Sequence, residues 1–198
     1  MGATSEYGYD SGGVFVKRLS VNKKTPCYSA WTDIMQRCYS SRWKEKHTTY
    51  KDTTLCRDWH DYQRFAIWYY NHYKEGFQVD KDILSDYYKI VPTYSPMTCR
   101  MIPRELNMLL VNRLGKSRNM DLPLGVCIHK PSGRFVAWCN NGEGKTINLG
   151  YKSSPQEAFE LYKEYKETLI KVKSERYYTD GVIDSTLYRA LQLYEVKP

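Results

Sequence analysis

The sequence predicts an α+β chain: a mixed strand-and-helix half, then a three-stranded antiparallel sheet packed on one helix, then a helical tail. Three observations carry this expectation. Apolar residues recur at helical spacing in several separated stretches, the first at Tyr28, Trp31, Ile34-Met35 and Cys38. Beyond residue 125 three short strand-like runs follow one another, punctuated by turn signals. Between these two grammars lies a polar, basic stretch from Asn112 to Asp121.

Residues 1–25 carry Gly2, Gly8, Gly12 and Gly13 among polar residues and read as an arm, with one short strand at Val14-Phe15-Val16. Thr25-Pro26 matches a helix N-cap followed by proline at the first helical position, and the helix runs to about Tyr39. A basic connection, Ser40 to Asp52, leads to a short strand at Thr53–Cys56. Asp58-Trp59 opens a second helix bearing Phe65, Trp68-Tyr69 and Tyr73, which Gly76 stops. Phe77-Gln78-Val79 alternates like a strand and runs into Asp80-Lys81-Asp82. A Tyr- and Pro-rich loop ends at Tyr94-Ser95-Pro96, Met101-Ile102 forms another strand, and Pro103 starts a helix with Leu106, Leu109 and Leu110. The first domain therefore spans 26–112 and a basic linker 113–121.

In the second half, Gly125–His129, Gly133–Cys139 and Lys145–Leu149 are strands, with turns at Pro131-Ser132-Gly133 and Asn140-Asn141-Gly142. Ser154-Pro155-Gln156-Glu157 is a capping box, and its helix lines Ala158, Leu161, Tyr165, Leu169 and Val172 along one face. These elements bound a second domain at 122–173. The tail, 174–198, holds one more amphipathic helix from Asp184 to Tyr194. Three strands that bury one face under a helix leave the opposite face free, and a free sheet face is a binding platform by geometry.

Composition narrows the function. Lys and Arg number 30 against 22 Asp and Glu, a net charge of +8 over 198 residues, which favours a polyanionic partner. No apolar run approaches the roughly 18 residues of a membrane span, and Met1 to Asp10 shows no secretory signal. The six cysteines form no C-x-x-C pair and read as small core hydrophobes. The 19 tyrosines suit small cores, base stacking and wet interfaces.

Several motifs together resemble a phage-encoded family that joins an HNH-type nuclease fold to a plant ethylene-response-factor-like DNA-binding domain. The first half is similar in Trp31, Met35 and Arg37-Cys38-Tyr39, in Cys56, Trp59 and Phe65, and in Val79-Asp80-Lys81-Asp82-Ile83. It continues in Tyr94-Ser95-Pro96-Met97-Thr98-Cys99-Arg100 and in Pro103 to Leu110 with Asn107. The second half resembles the plant-type domain in Gly125-Val126, Gly133 to Ala137, Leu149-Gly150 and the Pro155-Glu157-Ala158 helix start. The resemblance covers roughly residues 26–172.

What the resemblance implies is a strand-loop-helix site holding one divalent metal, magnesium or manganese, against a scissile phosphate. Asp80 would be the metal carboxylate, and Asn107 the second ligand or the phosphate-positioning amide. Lys81 occupies the place of the general base, and an ammonium there binds phosphate rather than abstracting a proton. Thr98 replaces the family's turn asparagine. His60 and His72, the histidines nearest in sequence, read as surface helix residues. The plant-type domain would lay its sheet in the major groove, and the positions matching its free face are Cys127, His129, Trp138, Asn140, Thr146 and Asn148, none of them arginine. Trp138 and Asn148 could stack or hydrogen-bond, while Lys130, Arg134, Lys145 and Lys152 lie at turns where they could hold phosphates. Arg100, Arg104, Arg113, Lys116 and Arg118 complete the expected nucleic-acid contacts. The expected function is nucleic-acid binding, with DNA the expected partner, in the cytoplasm of a bacterial host; metal-dependent nicking is the activity the resemblance would add were the degenerate motif competent. The rival is an inactive protein-interaction module acting on a host protein, such as an antagonist of a defence enzyme.

Overall fold

Helix α1 (Pro26–Tyr39) begins where the cap residues place it: extended Thr25 accepts the Tyr28 N–H at 3.1 Å, and Pro26 takes a position that needs no donor. A computed structural model describes residues 6–110 and 122–197. Along α1 the buried side chains are Cys27, Trp31, Ile34, Met35 and Cys38, the helical stripe expected from their spacing. Helix α2 (Ser41–Lys46) and a 3-10 turn at Thr48–Tyr50 occupy the basic connection. Helix α3 (Tyr62–His72) starts later than its apolar pattern suggested. Residues 57–60 form a 3-10 turn, and the capping carboxylate is Asp61, which accepts from Gln63 N–H. Helices α1 and α3 pack together around an aromatic core in which Trp31 Nε1 donates to the Trp59 carbonyl at 2.7 Å.

Strands in this half are short. β1 (Arg18–Ser20) and β2 (Lys23–Lys24) form a hairpin just beyond the expected Val14–Val16 strand. The backbone of 14–16 is captured by side chains instead: Gln63 bonds both the N–H and the carbonyl of Phe15, and Tyr62 and Thr25 donate to Val16 O. β3 (Thr54–Leu55) pairs in parallel with β5 (Thr93–Tyr94), and β4 (Phe77–Asp80) is hydrogen-bonded to β6 (Arg100–Pro103). Between β4 and β5, where the sequence suggested only loop, lies the short helix α4 (Asp82–Tyr87), which buries Ile83, Leu84 and Ser85.

The chain divides into two compact units at Ile102/Pro103, so helix α5 (Arg104–Leu110) groups with the second and touches its long helix. The expected linker, 113–121, lies outside the described residues. The second unit contains an antiparallel sheet, β7 (Val126–His129), β8 (Arg134–Asn140) and β9 (Thr146–Lys152), against α6 (Pro155–Thr179). Both halves of the capping box form: Ser154 Oγ accepts Glu157 N–H, and the Glu157 carboxylate accepts Ser154 N–H. Gly125 has φ +77°, and a side chain there would collide with the Tyr162 ring, so glycine is required by both backbone and packing. The tail continues α6 to Thr179 and folds back as α7 (Ser185–Gln192), where Gln192 donates to Lys171 O and Tyr188 stacks on Tyr178 at 4.5 Å.

Candidate nucleic-acid interface

Asp80 closes β4 with its side chain buried, and its carboxylate accepts the Ile83 N–H at 3.1 Å, fixing the start of α4. Burial, reinforced by the nearby Asp82 carboxylate, pushes Asp80 up to about 7. Lys81 is only 2% exposed. Its ammonium bonds the Asp82 carboxylate at 2.5 Å and sits 5.1 Å from the Tyr50 ring centroid and 5.0 Å from that of Tyr94. Next to this cage Arg37 Nη1 donates to Tyr94 Oη at 3.0 Å and its guanidinium lies over Tyr50. Lys81 is thus a packed, internally paired cation rather than a group presented to a phosphate.

The remaining expected site groups of this half are also engaged. Thr98 closes the 95–98 turn through the Ser95 hydroxyl and the Thr93 carbonyl. Arg100, expected at a phosphate, donates to the carbonyls of Pro96, Met97 and Cys99 and so braces that turn. His60 bonds Tyr39 Oη through Nε2 and Arg57 O through Nδ1, and His72 bonds Trp68 O. His72 is tied to its own helix, and His60 to its own turn and to the end of α1. Asp80 belongs to the first unit and Asn107 to the second, so neither unit contains both. Among the described residues no group of three His, Cys, Asp or Glu side chains converges as a metal site. One buried carboxylate beside a caged lysine does not fit a divalent metal, which wants several oxygen or nitrogen donors.

The sheet of the second unit is different. Phe135, Ala137, Cys139, Val126 and Leu149 enter the core with Ala158, Phe159 and Tyr162 of α6. The register pairs Trp138 with Asn148, Asn140 with Thr146, Cys127 with Val136 and Tyr151, and His129 with Arg134. All six residues expected on the free face therefore lie there. The register adds Arg134 and Tyr151, which were not assigned to this face from sequence. Arg134 donates to Tyr151 O at 3.0 Å, so its guanidinium borders the face. Tyr151 pairs across the strands with Val136, which is 3% exposed, and meets the His129 ring edge-to-face at 5.0 Å. A bulge between Ala137 and Trp138 was the missing signal: it shifts β9 by one residue and carries Tyr151 to the outer face. Cys127 also corrects an expectation, for it is exposed on this face, whereas Cys27, Cys38, Cys99 and Cys139 are buried.

Charge is distributed unequally about this layer. From 126 to 152 the strands and turns carry Lys130, Arg134, Lys145 and Lys152 against Glu143 alone. Helix α6, on the far side, carries five acids and five bases. Lys130, Arg134 and Lys145 are exposed. Arg104 is exposed on α5, and Arg113, Lys116 and Arg118 lie outside the described residues. No protein-family model, curated protein or solved structure matches this chain. Among the described residues no helix is long and apolar enough to cross a membrane.

Proposed function

We propose that this chain is a nucleic-acid-binding protein whose contact surface is the free face of β7–β9. The observation that carries the reading is the cation-rimmed, aromatic sheet face set against a charge-balanced helix on the other side. On this reading the first unit is an HNH-derived scaffold that ends before the motif's closing helix, and a phage protein of the bacterial cytoplasm is its natural setting. Cleavage is not assigned to it, because the groups at Asp80 and Lys81 are spent on packing. Fluorescence anisotropy with labelled 20-nucleotide single strands and duplexes tests the binding. Phosphate contacts by the three rim cations Lys130, Arg134 and Lys145 give a slope of log K against log salt of about −2 to −3, and Arg134→Gln with Lys145→Gln flattens it by about one to two. A salt-independent or absent signal would refute the reading.

A host-protein partner is the second reading, favoured by one observation. Val14, Val16, Leu19 and Val21 are all more than half exposed around the N-terminal hairpin. Such a module keeps a partner complex after the rim cations are neutralised, whereas a nucleic-acid binder loses its ligand.

A further inference from the structure

We infer that the strand bound on this sheet is unpaired, with bases stacked on Trp138 and on the Tyr151–His129 pair. The inference rests on the nucleic-acid reading and names the ligand class for the same face. Base pairs in a duplex present edges to a groove, and edges are read by hydrogen-bonding side chains, most effectively arginine. The centre of this face offers ring surfaces instead. Trp138 is 39% exposed and Tyr151 38%, although each stands on a strand whose opposite face is buried. Ring faces need base faces, and only an unpaired strand exposes those.

The geometry suits successive nucleotides. Trp138 lies opposite Asn148 and Tyr151 opposite Val136, so the two aromatics are diagonal neighbours on adjacent strands. Diagonal positions are about 7–8 Å apart, the reach of one splayed nucleotide to the next. Tyr151 is held in place before any ligand arrives: its ring meets His129, His129 Nδ1 lies 2.7 Å from Ser132 Oγ, and Arg134 holds its carbonyl. Asn148 is exposed and its Oδ1 accepts the Gly150 N–H, so its amide nitrogen is the donor it could offer a base or sugar. Lys130 and Lys145 sit in the turns at the ends of the strands, where the phosphates of a strand crossing the face would pass.

Anisotropy titrations at one salt concentration test this with a 20-nucleotide oligothymidine, the matching oligouridine and a 20-base-pair duplex. Wild-type protein binds one or both single strands at least tenfold tighter than duplex; the two arms separate DNA from RNA as the source. Trp138→Ala weakens single-strand binding about tenfold, the scale of one lost stacking contact, with the salt slope unchanged. Trp138→Phe recovers most of it, and an unchanged melting curve shows that each variant is folded. Duplex binding equal to or tighter than single-strand binding, or single-strand affinity indifferent to Trp138→Ala, overturns the stacking inference while leaving nucleic-acid binding intact. Failure of all three ligands to bind overturns both.

Discussion

Asp80 and Lys81 show how adjacent residues of a charged triplet can have opposite fates in folding. The Asp80 carboxyl is withdrawn from water and held near Asp82, so its proton is bound more tightly in the folded chain than in the unfolded one. Its contribution to stability is therefore fullest below the unfolded value near pH 4 and is lost as pH rises through about 7. Asp80→Asn keeps an acceptor for Ile83 N–H and removes the charge. The variant should gain on the order of 2 kcal/mol over wild type at pH 8, a difference that vanishes toward pH 4. Parallel denaturant melts at the two pH values decide it; a variant less stable at pH 8 would mean that the ionised carboxylate has a partner worth more than its burial costs. Lys81→Ala strips the partner from Tyr50, Tyr94 and Asp82 and should cost about 3 kcal/mol. Its salt-dependent affinity for single strands should equal that of wild type, because the ammonium is internal; a flatter slope would show Lys81 at a phosphate.

Among the elements, the most self-sufficient is α6, which is capped, long and evenly charged. Removing one side of its capping box by Ser154→Ala should cost about 1 kcal/mol and lower Tm by about 2–4 °C. Calorimetry reads this directly, and no change would mean that packing against the sheet sets the helix start without the cap. The helices whose caps were visible in sequence, α1 at Thr25-Pro26 and α6 at Ser154-Pro155, begin where those residues place them. α3 does not, because Asp58 and Asp61 are both plausible caps, and a 3-10 turn stabilised by Trp59 burial selects the second. α4 escaped notice because its six residues are too few to show periodicity.

At the scale of the whole molecule, residues 126–152 carry four bases against one acid, whereas the lysine of the expected catalytic triplet is paired internally with Asp82. Supercoiled plasmid incubated with the protein and magnesium or manganese should therefore remain supercoiled. Nicking that disappears in Asp80→Ala and Asn107→Ala would restore the hydrolytic reading and require a donor set beyond the groups described. The division at Ile102/Pro103 places Asn107 in the other unit from Asp80, a separation that motif order does not reveal. Adjacency in a motif is a statement about the chain, whereas membership in a packed unit depends on which apolar faces meet.

By itself the sequence determined the α+β class, the order of the last three strands and their covering helix, and the outward placement of Cys127, His129, Trp138, Asn140, Thr146 and Asn148. The class and the elements follow from periods of two and 3.6 and from turn and cap chemistry, and the six positions from the motif resemblance, all of them local. Only the tertiary structure decided that Lys81 is enclosed by Tyr50 and Tyr94, that Arg100 braces a turn, and that Tyr151 joins the free face. Those outcomes depend on side chains brought together from distant segments and on a single-residue bulge, and no local period encodes either.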